Sequence, residues 1–242
     1  MISFIIPAFN EADYLGDTLD AVHEAMRGMD VLYEVVVAND ASTDGTAALA
    51  VSRGARVIEV AHRQIAATRN AGARAAQGMY LVFIDADTLV NRDLILAMRE
   101  ALHHGAVGGG AHSVFDDAPL YGRMTLAFIM MTLRWANWAA GCFLYCTREA
   151  YLTAEGFDEA YYGAEEVSLS RGLKKQGQFV ILKQAVVTSG RKVRQYSAWQ
   201  FFKIGMRLVR RGHKGVKQRQ GMEFWYDQRV GDESGRSKKD PL

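Results

Sequence analysis

IAATRNAGARAAQGMYLVFIDADT, residues Ile65 to Thr88, is the stretch of this 242-residue chain whose reading decides the fold. Ile65 to Gln77 carries helical spacing, and Gly78 stands where a helix would stop. Tyr80 to Ile84 is an unbroken apolar run of the kind that burial on both faces of a sheet demands. The run leads straight into Asp85-Ala86-Asp87. The same unit recurs upstream, with strands predicted at Ser3–Ile6, Glu34–Ala38 and Arg56–Val60 and helices at Ala12–Arg27 and Asp44–Arg53, stopped by Gly28 and Gly54. This is βαβαβαβ. Short crossovers of that type are right-handed and give a parallel, helix-covered sheet whose ligands bind beyond the carboxyl ends of the strands. The fold class is therefore α/β, with a mostly parallel, Rossmann-like central sheet, and the loops after the strands are where chemistry belongs.

Composition agrees with a folded chain. Hydrophobic residues make up 49% and charged residues 23%, with three prolines and no biased tract, which excludes a largely disordered or fibrous protein. Cys142 and Cys146 lie in an apolar stretch, which makes neither a disulfide framework nor a four-ligand zinc site; they read as buried thiols. The opening MISFIIPAFNE reads as the start of the fold, not as a leader. Between Leu120 and Cys146, Arg123 and Arg134 leave only Met124 to Leu133 uncharged, too short a run to span a bilayer. The expected location is cytoplasmic, with the possibility of attachment to the inner face of the membrane.

The net charge of +2 conceals an asymmetry: residues 1–190 hold 15 Lys and Arg against 22 Asp and Glu, and residues 191–242 hold 14 against 5, so the balances are −7 and +9. An acidic body followed by a basic segment is the pattern of a metal-binding or catalytic unit with an anionic partner surface. Three parts are expected: 1–196 as the folded unit, divided into 1–90 and 91–196; a basic amphipathic helical segment over 197–228; and a frayed tail over 229–242. In the second half, Asn91 is predicted to cap a helix through His104, Pro119 to open a long helix towards Trp138, Cys142–Cys146 to form a strand, Glu165–Lys175 a helix, and Phe179–Thr188 one or two strands.

Four loops carry the chemistry. Pro7 to Glu11 follows strand one, with Asn10 as a helix N-cap. Asn39 to Thr46 follows strand two; Ser42 or Thr43 can cap the next helix, which leaves Asp40 without a local task and able to accept from an imide or amide N–H of a nucleobase. Neither loop matches GxGxxG or a P-loop, which disfavours a dinucleotide cofactor. After strand four, alternate residues of an extended chain project to one side, so Asp85 and Asp87 can face one cation; two hard oxygen ligands suit Mg²⁺ or Mn²⁺, unless either Asp merely opens a turn. Glu165 and Glu166 stand at a helix start, where the dipole favours negative charge, and their side chains point about 100° apart, enough for one to serve the cleft while the other supports it.

In this order the loops resemble the inverting nucleotide-sugar glycosyltransferases of family 2, which have the GT-A fold; the resemblance implies a nucleotide-binding half over 1–90 and an acceptor half over 91–196. The matching stretches are FIIPAFNEADYL, VVVANDASTDGT, the Ile65–Thr88 segment, the GCFLYCTREAY and GFDE region, and the Glu-Glu pair. The resemblance implies a nucleotide-sugar donor, with Pro7, Phe9, Glu11 and Asp40 lining the nucleoside pocket and Arg69 beside the base or phosphates. It implies that Asp85 and Asp87 form the DXD metal motif, Asp85 also facing the nucleotide, and that Glu166 is the catalytic base. The family's usual second carboxylate is Asp, so the longer Glu166 keeps Glu165 as a second candidate. Several relatives carry a histidine after the late strand; TSGRK carries none, which points to Arg191 as a cationic diphosphate contact.

An inverting transfer needs one base and, on the leaving side, one stabilising cation, which accounts for a metal pair far in sequence from the Glu pair. The acceptor is left open among a glycan, a lipid and a polyprenyl phosphate. Gly141, Trp138 and Tyr145 are candidates for its pocket, with core packing as the other reading of the aromatics. A sugar-phosphate nucleotidyltransferase is the rival enzyme, but it generally needs a basic, glycine-rich first loop; a non-catalytic nucleotide-binding protein at a membrane surface is the other rival. Trp199, Phe202, Met206 and Val209 share one helical face, with Lys203, Arg207 and Arg210 on another, either docked on the body or set on an anionic membrane. Packing periodicity and the lack of a recognised module speak against nucleic acid.

Overall fold

The computed structural model describes residues 1–116, 139 and 141–191. Within them one sheet is built from β1 (Ile2–Ala8), β2 (Tyr33–Asp40), β3 (Arg56–Val60), β4 (Tyr80–Ile84), β5 (Thr88–Leu89), β6 (Gly108–Asp116), β7 (Phe143–Thr147) and β8 (Phe179–Ser189). The spatial order is β3-β2-β1-β4-β7-β6-β8-β5. The first four run parallel, β4 to β7, β7 to β6 and β8 to β5 are antiparallel, and β6 to β8 is again parallel. The sheet is thus parallel where the βαβ units build it and mixed beyond β4.

β1 shows why it lies in the middle. Phe4 and Ile6 pack towards α1 (Ala12–Met26) and α4 (Arg92–His103), with Leu15, Leu19, Leu94 and Met98; Ile5 packs on the other face with Ala66 and Ala73 of α3 (Ile65–Ala75). A strand buried on both faces has no polar side to alternate with. α2 (Thr46–Ser52) flanks β3, while α5 (Arg148–Thr153) and α6 (Glu165–Lys174) cover β7 and join the second core through Tyr151, Leu169 and Leu173.

The strand and helix positions match those expected within a few residues, and Asn91 caps α4 by accepting from the Leu94 N–H. Gly28 and Gly54 have φ of 69° and 79°, the left-handed stop that glycine favours. Gly78 plays a different part from the stop expected of it. Its N–H donates to Ser3 Oγ, and a Cβ there would lie 2.5 Å from that oxygen, so glycine permits a close approach to β1. The end of α3 is closed instead by Arg148, whose guanidinium donates to the Ala76, Gly78 and Ala73 carbonyls. A cation at a helix C-terminus answers both the unpaired carbonyls and the dipole. The β5 strand, only two residues long, and α5 were not expected. The helix from Pro119, Trp138, and the basic segment from residue 192 lie outside the described residues. Among the described residues no helix is long and apolar enough to cross a membrane.

Candidate active site

The loops after β1, β2 and β3 meet at the carboxyl edge and hold one another. Asn10, Ala41 and Arg63 all take left-handed conformations, with φ of 53°, 56° and 50°, a state that costs a non-glycine residue about 1 kcal/mol or more. Hydrogen bonds repay it. The Asn10 N–H donates to Ser42 Oγ, Glu11 N–H to Thr46 Oγ1 and Ala12 N–H to Asp44 Oδ2, while Asn10 Oδ1 accepts from the Thr43 N–H. The N-cap position of α1 is therefore Glu11, not Asn10, and the first N–H groups of α1 are satisfied by the loop after β2. Nor do Ser42 and Thr43 cap α2; Asp44 does so locally, accepting from Thr46.

Asp40 has a local task after all. Its carboxylate accepts from the N–H groups of His62, Arg63 and Gln64 and from Thr68 Oγ1. Four bonds fill the roughly four acceptor positions of a carboxylate, so Asp40 shapes this edge by fixing the start of α3 and has no lone pair left over for a base. Above it, the Arg63 guanidinium lies 3.6 Å from the centre of the Phe9 ring. Pro7, paired with Ala38, completes the edge of β1 beside them.

The carboxylates from distant parts of the chain converge on Arg69. This arginine of α3 is 3% exposed; Nη1 donates to Glu165 Oε1 at 2.7 Å, and Nη2 to Asp85 Oδ1 at 2.7 Å and to the Gly141 carbonyl at 2.9 Å. Burial alone would lower the guanidinium's pKa, but Asp85 and then Glu165 outweigh it and raise it above the ordinary value. Arg69, expected beside the base or phosphates, is a buried bracket between the two carboxylates. Glu166 follows Glu165 at the first turn of α6, and the Gly141 α-carbon lies under its carboxyl, where a Cβ would sit 3.4 Å away. Burial, then the Glu165 charge, pushes the Glu166 carboxyl up to about 8. One glutamate is spent on the bracket and its neighbour is held near neutral pKa.

Asp85 and Asp87 do not alternate along an extended chain. The Asp85 carbonyl accepts from the Thr88 N–H, so the pair spans a tight turn. Each carboxylate has its own arginine: Asp85 that of α3, and Asp87 Arg191, 3.2 Å from its Oδ2. Arg191, just beyond β8, also donates to both Glu11 oxygens at 2.6 Å and stacks on Tyr14, 4.2 Å from the ring centre. Burial lowers its pKa, but Glu11 and then Asp87 carry it above the usual value. Cys142, whose carbonyl accepts from Asp85 N–H, has its thiol pushed up to about 12 by burial and by the Asp85 charge, which keeps it inert.

The donor chemistry fits a divalent ion. Among the described residues, the four carboxylates of Glu11, Asp85, Asp87 and Glu165 outnumber by two the guanidinium groups of Arg69 and Arg191 with which they pair. A hard dication held by one or two carboxylates and completed by phosphate oxygens suits that excess. No group of three or more His, Cys, Asp or Glu side chains with metal-ligand geometry occurs among the described residues. Asp85 and Asp87 would be the protein's share.

Of the acceptor-pocket candidates, Gly141 is in the cleft. Tyr145 is not: it is fully buried in β7, its hydroxyl donates to the Val180 carbonyl, and the ring lies against Gly109. Sequence spacing gave no sign of Tyr14, of Arg63 on Phe9, or of Gln64, whose amide donates to the Glu159 and Tyr161 carbonyls and ties α3 to the loop leading into α6. Those pairings cross the chain between segments whose spacing is not periodic.

A Rossmann-like shelf facing a carboxylate-rich cleft across a mixed second half is the architecture of the GT-A glycosyltransferases. Residues 3–159 match the model of Glycosyl transferase family 2, and the chain belongs to that family. Succinoglycan biosynthesis protein ExoO of Rhizobium meliloti is 35% identical over 120 residues, which are 48% of this chain and 32% of that protein. Mannosyltransferase PcManGT from Pyrobaculum calidifontis, in complex with GDP-Man and Mn²⁺, superposes with a TM-score of 0.63 at 21% identity over 85% of this chain and 64% of that one. S. aureus TarS 1-349 in complex with UDP gives a TM-score of 0.60 at 18% identity over 86% and 64%. At those identities the structural likeness establishes the fold. The match to ExoO spans about a third of that relative's length. Family membership sets the nucleotidyltransferase reading aside.

Proposed function

We propose that the chain transfers a sugar from a nucleoside-diphosphate sugar to an acceptor hydroxyl or phosphate with inversion, Glu166 acting as general base. The observation that carries this reading is the Glu165–Arg69–Asp85 bracket. It brings a glutamate pair from α6 to the exit of β4 and leaves one member half-buried with its pKa near working pH, where a base transfers protons best. As the acceptor oxygen attacks the anomeric carbon, its proton passes to Glu166, and the bond from that carbon to the diphosphate oxygen breaks on the opposite face. Arg69 fixes Glu165 in place beside Glu166. Pro7 and Phe9 line the nucleoside pocket, with Asp40 and Glu11 shaping it from behind. A divalent ion, Mg²⁺ or Mn²⁺ on Asp85 and Asp87, would supply Lewis-acid stabilisation of the departing diphosphate. The complexes of two fold neighbours, with UDP and with GDP-Man and Mn²⁺, support that class of donor.

The test is release of nucleoside diphosphate from a panel of UDP, GDP and dTDP sugars with Mn²⁺ and Mg²⁺. Turnover that disappears in Glu166→Gln while donor binding persists supports the assignment. Unchanged turnover refutes it, and no release from any donor supports the non-catalytic alternative.

The acceptor we infer is a glycan, a lipid or a polyprenyl phosphate, met at an anionic membrane surface. The +9 balance of residues 191–242 supports this. Liposome flotation that survives truncation after Tyr196 would remove the membrane part.

A further inference from the structure

Arg191 is bound unequally. Its Nη2 carries two hydrogens and faces three carboxylate oxygens. The two short contacts, 2.6 Å each, are hydrogen bonds to Glu11, whereas Asp87 Oδ2 at 3.2 Å is reached as an ion pair only. Tyr14 supports the guanidinium plane from below. Among the described residues no protein acceptor meets Nη1 or Nε, which between them carry three N–H donors. Asp87, meanwhile, is one of the two carboxylates that would hold a divalent ion. A guanidinium and a dication compete for such an oxygen, because each is disfavoured beside the other.

We propose that Arg191 is a displaceable internal cation: it holds Asp87 until a nucleoside diphosphate arrives, then turns to the diphosphate about its Glu11 anchor and yields Asp87 to the divalent ion. Glu11 is then a positioning residue acting through Arg191, not a nucleoside contact. A planar donor set of this kind matches phosphate oxygens in pairs, and the exchange costs no net charge at the Glu11 end. The assignment rests on the donor reading above, and it makes ion and nucleotide bind as coupled ligands.

Mn²⁺ titration followed by electron paramagnetic resonance, with and without UDP, GDP or dTDP, tests it on the intact chain. Arg191→Gln is expected to bind Mn²⁺ alone at least about 5-fold more tightly than wild type, the smallest effect of removing a unit charge at ion-pair distance. The same variant is expected to bind nucleoside diphosphate about 10-fold more weakly at saturating Mn²⁺, through loss of charge-assisted bonds. Glu11→Gln, which leaves the arginine to Asp87, is expected to weaken Mn²⁺ binding in the absence of nucleotide, and it carries the test should Arg191→Gln fail to fold. A merely structural Arg191 would weaken both ligands. Mn²⁺ affinity unchanged or lowered in Arg191→Gln, or unchanged or raised in Glu11→Gln, overturns the exchange. If wild type binds Mn²⁺ with none of the three nucleotides, the donor reading fails and the exchange fails with it.

Discussion

The two halves of the sheet are held at their working edge by different forces. On the parallel side, the loops after β1, β2 and β3 are joined by short hydrogen bonds from backbone N–H groups to Ser42, Thr46, Asp44 and Asp40. Where the second half meets the first, ion pairs join segments far apart in the chain, Glu165 and Asp85 on Arg69 and Glu11 and Asp87 on Arg191, beside the bonds of the Gln64 amide to the Glu159 and Tyr161 carbonyls. Hydrogen-bonded turns are directional and make a rigid shelf. Ion pairs between distant segments exchange partners readily once another ion enters. The contrast fits the proposed reading, in which the first half holds the donor and the second responds to it.

The comparison can be broken most severely at the centre of the charged side. Glu166→Gln should lower kcat by about 10²- to 10⁴-fold, the ordinary contribution of a general base, with nucleotide affinity preserved by calorimetry. In wild type kcat/KM should climb with pH towards the Glu166 value of about 8, because only the ionised carboxyl accepts a proton; the residual rate of the variant should lack that limb. The sign for stability is opposite. A carboxyl whose folded pKa lies above its unfolded one stabilises fully below the unfolded value, and that stabilisation is lost as pH rises through the folded value. The melting temperature of wild type should therefore fall relative to Glu166→Gln between about pH 4.5 and pH 8.

Next in size is Arg69→Met. It leaves Glu165 without its cation, and breaking such a buried pair costs about 3–5 kcal/mol, whereas Asp85, with 37% of its side chain exposed, adds little. That is a drop of roughly 10 °C in melting temperature for a chain of this length. On the hydrogen-bonded side the same kind of cut should be smaller: Asp44→Ala removes caps on α1 and α2 and should cost about 1–2 kcal/mol in urea denaturation. A loss as large as that of Arg69→Met would erase the contrast. Smallest of all, Tyr145→Phe should cost about 1 kcal/mol through the bond to Val180 and leave the acceptor KM unchanged. A raised KM would return Tyr145 to the acceptor pocket.

The sequence made the parallel half legible because its signals are local. Apolar runs such as YLVFI, the glycines after α1 and α2, and Asn91 each act on their own neighbours. It also named charged residues that the structure brings together: Asp85, Asp87, Glu165, Glu166, Arg69 and Arg191. What it hid was who partners whom. Asp40 seemed idle because its four donors lie at 62–68, across a strand. The bracket at Arg69 was hidden because its two carboxylates come from β4 and α6. The reading of Asp85 and Asp87 as alternate residues assumed extended backbone, whereas the chain turns at once to place β5 against β8. Gly78 and Tyr145 misled for a related reason: each is chosen by what approaches it from another strand.

Gly141 gives the bracket a geometric limit. Its carbonyl receives Arg69 while its bare α-carbon lies beneath Glu166, so one peptide unit fixes the spacing between the arginine and the working carboxyl. A methyl group there would meet the carboxyl at 3.4 Å, an ordinary van der Waals contact. The proposed base therefore rests above a floor that one added carbon would fill without displacing it.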